Sequence, residues 1–300
     1  MASKGVKVGS LVAAAALVVP LAACGDGSSS DSVATVTQTV TAGVTSTSVA
    51  AVSPSTSGSR STAKLSASFD ALALSQPVGL AVVPVGGGDP LLFGDQTPQV
   101  AWSTIKVPLA LAAERKNGPS SAESAAITAS DNASAEALWA SLGGGEQSAQ
   151  AVTAVLREGG DTESAVPSQK LRGEFTIFGQ TTWPLKNAAT FTSNLPCLPG
   201  SRHLVSLMGQ VAGNQQWGVE TVRAKSTAVK GGWGPSVSGG YVVRQIGLIT
   251  KRDGSRIAVA MSTYSPGASM ESGIAVLNQV GGWIAAHLAS LPSGKCSSGR

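Results

Sequence analysis

Ser103 and Lys106 are the residues in this chain best suited to nucleophilic chemistry. They stand in Trp102-Ser103-Thr104-Ile105-Lys106-Val107-Pro108-Leu109. Three apart at a helix start, their side chains share one face. A lysine shielded from water there has a lowered pKa and can accept the serine proton. Backbone N–H groups at a helix N-terminus favour a developing negative charge. Pro108 suits only a first helical turn, which puts the start close to Ser103. Taken alone, the spacing more often marks an ordinary helix N-cap with a surface lysine. Two further clusters change that balance: Ser130-Asp131-Asn132 and Lys230-Gly231-Gly232. Lys225, in Lys225-Ser226-Thr227, is a rival to Lys230 but lacks the glycine that lets a ligand approach a strand.

The rest of the chain must position these groups. Three hundred residues allow one large domain or two small ones. The formal charge is +4, and Lys4 and Lys7 carry two of those units. That charge is too weak, and too scattered among few aromatics, for a nucleic-acid surface. The two histidines, His203 and His287, and the scattered cysteines show no ligand spacing, so neither metal nor cofactor is expected. Asp131 reads as a structural acceptor, and Trp139, Trp183, Trp217 and Trp283 read as core. Trp233 divides evenly between core and cleft.

Helix spacing over Ala63–Leu74 places Leu65, Phe69 and Leu72 together. Val78–Val83 and Leu91–Phe93 read as strands around the Gly86-Gly87-Gly88 turn. Helical material fills the middle. Tyr241–Thr250 and Arg256–Tyr264 read as a hairpin across Asp253-Gly254. Apolar residues at Ile274, Leu277, Val280, Ile284 and Leu288 make Met270–Leu288 an amphipathic helix. The expected fold class is α+β: an antiparallel sheet formed from both terminal regions, flanked by helices. No internal repeat interrupts it.

With Ser103-x-x-Lys106, Ser130-Asp131-Asn132 and Lys230-Gly231-Gly232 in that order, the sequence resembles class A serine β-lactamases and penicillin-binding proteins. The resemblance extends through Leu142-Gly143-Gly144, Gly159-Gly160-Asp161, Thr181-Thr182 and the closing strands, covering residues 63–290. It implies that Ser103 is acylated and Lys106 accepts or relays its proton. Ser130 would pass a proton toward the leaving nitrogen, and Asn132 would position the substrate amide. Lys230 would bind the substrate carboxylate, with Arg244 adding to it. Backbone groups of Ser103 and of Trp233 or Gly234, beside Gly232, would form the oxyanion hole. The implied substrates are β-lactams or D-Ala peptides of the cell wall.

Three departures bear on that reading. The stretch from Ser103 to Ser130 is short, so the helical lobe should be reduced. Residues Asp161–Thr182 offer Glu163 and Glu174 but no Glu-x-x-Leu-Asn, the motif whose glutamate frees the acyl-enzyme. Gly231 stands where the family has a hydroxyl. Slow deacylation is therefore expected. Three function classes stay open: an acyl-enzyme, a catalytically impaired binding module at the cell envelope, and a purely structural surface lipoprotein.

The N-terminus reads as an export signal. Lys4 and Lys7 precede an apolar run that ends in Leu21-Ala22-Ala23-Cys24, which resembles a lipobox. That resemblance implies a signal peptide over 1–23, lipidation of Cys24 and attachment to the outer face of the cell membrane. Residues 24–62, rich in Ser, Thr and Ala, read as a tether. The folded domain is then expected over 63–292 and a tail over 293–300. Cys197 and Cys296 are left as a pair in an exported chain, where a disulfide is favoured over two free thiols. The protein is expected to act as a monomer.

Overall fold

The computed structural model describes residues 56–297. The signal peptide, Cys24 and most of the proposed tether lie outside the described residues.

Chain order explains the architecture. A first helix, α1 (Thr56–Asp70), leads into strands β1 (Val78–Pro84) and β2 (Leu91–Gly94). After the short strand β3 (Gln99–Val100) come α2 (Lys106–Asn117), α3 (Ser121–Thr128), α4 (Asn132–Ser141) and α5 (Gly145–Glu158). Strand β4 (Thr182–Trp183) pairs with β3, and α6 (Leu185–Asn194) and α7 (Arg202–Met208) follow. Three long strands, β5 (Ser226–Pro235), β6 (Tyr241–Thr250) and β7 (Arg256–Tyr264), precede α8 (Met270–His287). The main sheet runs β2-β1-β7-β6-β5, antiparallel throughout, so the two ends of the chain do share one sheet.

Alternation along the strands builds two cores. Ala228, Ile246 and Leu248 join a core with α2, α4, α5 and α6. Val229, Val243 and Ile249 face α1 and α8, with Phe69, Leu277 and Trp283. Helix α2 runs through the first core and is buried over its whole first half, Lys106–Ala113. A helix apolar on nearly every side belongs inside. Only α3 and its loops lie between α2 and Ser130, which is the reduced helical lobe expected from the short spacing.

Several boundaries move. The first helix starts at Thr56, inside the proposed tether, and ends at Asp70 rather than Leu74. Lys230-Gly231-Gly232 lies within β5, the strand that precedes the β6–β7 pair. The Asp253-Gly254 turn closes a wider loop, with Lys251 N donating to Ser255 O at 2.8 Å. Within the proposed tail, residues 293–297 are described. Gly294 bridges Arg256, and Cys296 is joined to Cys197. His287 is not a simple surface residue: it stacks on Trp283 and meets Ser68 Oγ at 3.0 Å. Among the described residues no helix is long and apolar enough to cross a membrane.

Three helices meet at a buried carboxyl. Glu123 of α3 is almost fully buried, contacts Glu114 of α2 and lies 3.8 Å from His203 Nε2 of α7. Burial, then the hydrogen bond and charge of Glu114, push the Glu123 carboxyl up to about 8. The fold therefore keeps a proton that the unfolded chain releases above about 4.5. Stability from this group is complete below that pH and is lost as pH rises to about 8. Thermal melts should show Glu123→Gln gaining on the wild type across this window; a pH-independent difference would refute it.

Candidate active site

The site forms where the start of α2, the α3–α4 junction and edge strand β5 converge. Ser103 lies in a short 3-10 turn, Trp102–Ile105, that runs into α2. Lys106 is therefore the first residue of the α-helix, and Ser103 sits one turn ahead of it. Trp102, just before the serine, has φ 47, and Ser130 has φ 60. Such left-handed conformations cost about 1–3 kcal/mol in residues other than glycine, so the surroundings must hold them. Trp102 is held by packing: its ring meets Phe175 edge-on at 5.0 Å and covers Gly234, where any Cβ would collide with it. Ser130 is held from both sides. Asp131 N donates to Ala125 O at the end of α3, and Asp131 caps α4 by accepting from Ser134 N. Asp131 is thus the structural acceptor expected.

Two buried lysines converge on Ser130. Lys106 Nζ donates to Ser130 O at 2.6 Å, Asn132 Oδ1 at 2.8 Å and Asp131 O at 3.2 Å, and reaches Ser130 Oγ at 3.5 Å. Lys230 Nζ donates to Ser130 Oγ at 2.9 Å from the opposite side. Burial lowers the Lys106 amine to about 8, although Asp131 and Glu136 pull it the other way. Lys230 is held well below the usual lysine range, first by burial and then by the charge of Lys106. Ser103 Oγ has no hydrogen-bond partner among the described residues. Its residue lines a cleft of about 420 Å³ together with Asn132, Glu136, Glu174, Trp233 and Gly234.

Glycines on β5 let the strand close on the Ser103 turn. A Cβ on Gly232 would lie 2.9 Å from Ala101 O and Thr104 N and 3.0 Å from Ser103 N. On the other face, a Cβ on Gly231 would meet the Trp217 ring at 2.9 Å. Trp217 thus occupies space that a side chain at 231 would need. Lys225 is exposed beyond the strand start, so Lys230 alone of the two candidates reaches the cluster. Trp233 takes the cleft position, while Trp139, Trp183, Trp217 and Trp283 are buried.

The structure does not bring Arg244 to the cleft. It pairs with Gly232 across the strands, yet its side chain is fully buried beneath β3 and β4. There it donates to Gln99 O, Val100 O and Trp183 O, so its charge is engaged with backbone rather than offered to a ligand. Of the two glutamates in the 161–182 segment, Glu174 lines the cleft and Glu163 does not. Glu163 accepts from Asn187 and borders a separate cavity. Sequence reasoning missed Glu136, one helical turn beyond Asn132, although that spacing was a readable signal. It also missed Gln215, which nothing in the sequence marks. Among the described residues no cluster of three or more His, Cys, Asp or Glu is arranged to hold a metal.

The fold has close counterparts among solved structures. The TLA-3 extended-spectrum beta-lactamase matches with TM-score 0.64 at 14% identity, covering 76% of this chain and 99% of that one. A beta lactamase from Xanthomonas campestris pv. campestris matches with TM-score 0.60 at 18% identity, over 76% of this chain and 98% of its own. One from Burkholderia vietnamiensis matches with TM-score 0.56 at 20% identity, over 77% and 96%. The chain therefore has the serine β-lactamase-like fold. No protein-family model matches the sequence, and no curated protein matches it.

The Gly232 contact gives a direct test. Gly232→Ala should push the α2 start away from β5, and crowding of this kind costs about 1–3 kcal/mol. Chemical denaturation should show that loss, whereas an unchanged midpoint would mean the two segments are not in contact.

Proposed function

We propose that this protein is a serine acyl-enzyme acting on β-lactams or D-Ala peptides of the cell wall, with slow release of the acyl group. The observation that carries this reading is the Ser130 hydroxyl held between two buried amines at the cleft that Ser103 lines. Ser103 Oγ attacks the carbonyl carbon, and its proton passes to a neutral Lys106 Nζ. The developing oxyanion is met by the backbone N–H of Ser103 and by that of Trp233 or Gly234 on β5. As the C–N bond breaks, the leaving nitrogen takes a proton from Ser130 Oγ, which is replenished from Lys106. Lys230 keeps the Ser130 oxygen in place and adds positive potential for a substrate carboxylate. Asn132, bonded to Lys106, has its amide free to orient the substrate.

Slow deacylation follows from where the acids lie. Glu163 faces away from the cleft, and Glu174 is mostly exposed and paired with Arg172. Each tenfold loss in that step corresponds to about 1.4 kcal/mol of barrier. The same features, with Arg244 engaged elsewhere, support the binding-module reading as the alternative.

Incubation with a fluorescent penicillin should give a covalent adduct by mass on the wild type and none on Ser103→Ala. The adduct should persist for minutes or longer. Because Lys106 must be neutral to take the proton, the acylation rate should rise with pH and level off above about 8. Absence of any adduct, with no turnover of a chromogenic cephalosporin, would favour the binding module. Fast, complete hydrolysis would contradict the slow-release reading.

We also propose export and anchoring through a lipid on Cys24, which places the domain at the outer face of the cell membrane. The motif Leu21-Ala22-Ala23-Cys24 supports this. Cys24→Ala should move the protein from the membrane fraction to the soluble one; unchanged fractionation would refute lipidation.

A further inference from the structure

The network around Lys230 extends inward to a side chain with no part in the chemistry described so far. Gln215 is completely buried, in the 3-10 turn Gly213–Gln215. Its Oε1 accepts from Lys230 Nζ and, at 3.0 Å, from Gly231 N. Its Nε2 donates to Ile127 O at 3.0 Å and Thr128 O at 2.9 Å. Those two carbonyls end α3, two and three residues before Ser130. One amide therefore joins strand β5, on one lip of the cleft, to the segment that carries Ser130 on the other. A second buried amide supports it: Gln245 Nε2 donates to the backbone carbonyls of Gln215 and Trp217.

We propose that Gln215 is a positioning residue for acyl transfer, holding the Lys230 amine against Ser130 Oγ and fixing the distance between the two lips of the cleft. The inference rests on the acyl-enzyme reading above. Its physical basis is the polarity of the acceptor. Lys230 Nζ has three acceptors: Ser130 Oγ, Gly231 O and Gln215 Oε1. All three are neutral, and the charged group facing the amine is Lys106. Asp131 and Glu136 act on Lys106 instead. A neutral amide orients the amine without adding a counter-charge, so Lys230 is held in place yet stays easy to deprotonate. A carboxylate at the same point would accept from Lys230 as well, but it would fix that amine's proton and could not donate to Ile127 O and Thr128 O. Reach also matters: asparagine is one methylene shorter and cannot span from β5 to α3.

Two substitutions separate positioning from mere packing. Gln215→Leu removes every bond and should slow Ser103 acylation by fluorescent penicillin roughly tenfold or more, since bonds to charged groups are of that strength. Because it also orphans buried backbone groups, it can fail to fold. Gln215→Glu is the decisive variant, since it keeps the acceptor for Lys230 and Gly231 N. It gives up the two bonds to α3, so adduct should form more slowly, and the titration of Lys230, read from lysine Nζ resonances, and the alkaline part of the acylation profile should move to higher pH. A lowered melting temperature with both profiles unmoved overturns the positioning role, because packing alone predicts that result. A wild type that forms no adduct overturns the acyl-enzyme reading, and this inference with it. A wild type that reacts, beside a Gln215→Glu variant with an unchanged pH profile, overturns this inference alone.

Discussion

Everything at the cleft depends on keeping two amines out of water within reach of one hydroxyl. Lys106 and Lys230 are both essentially buried, and both direct their Nζ at residue 130. Burying one unpaired cation is costly, and burying two beside each other is worse. The fold meets that cost with neutral acceptors instead of counter-ions. Carbonyls of Ser130 and Asp131, the Asn132 amide and the Gln215 amide surround the pair. Neutral acceptors satisfy the hydrogen atoms without removing the incentive to lose a proton. An amine in that condition can act as a base near neutral pH.

The remainder of the architecture reads as support for this arrangement. Helix α2 is buried along its first half, which fixes the height at which Lys106 enters the cluster. Edge strand β5 brings Lys230 and gives up side chains at 232 and 234 so that it can close on the Ser103 turn. Strained backbone at Trp102 and Ser130 is tolerated because both are locked by neighbours, the first by Phe175 and Gly234, the second by the α3 and α4 ends. Arg244 serves the same end from below, tying the β3–β4 strip to the sheet through three carbonyls.

The 161–182 segment leaves Glu163 facing a different cavity, and Glu174, which does reach the cleft, is largely in solvent. Trp217 blocks any side chain at 231. Lys106, Ser130, Asn132 and Lys230 sit together, and the glutamates that line the cleft with Ser103 are the half-buried Glu136 and the exposed Glu174.

The sequence by itself determined the sheet, the closing helix and the order of the chemically active segments. These follow from local rules: strand-like apolar runs on either side of Asp253-Gly254, a period of 3.6 in Met270–His287, and short motifs whose residue types are unusual together. It also singled out the pair Cys197 and Cys296, which is joined in the structure. The start of α1 was misjudged because Thr56–Thr62 carries no apolar stripe to announce a helix. Arg244 was assigned to the cleft because strand register reveals which face a residue takes but not where a long side chain ends. Gln215 is illegible in the sequence because it gains its role only from neighbours distant in sequence, whereas Glu136 could have been read from its place one turn beyond Asn132. Tertiary structure alone decided which lysine is buried and which amide holds it, since burial is a property of packing between segments more than eighty residues apart.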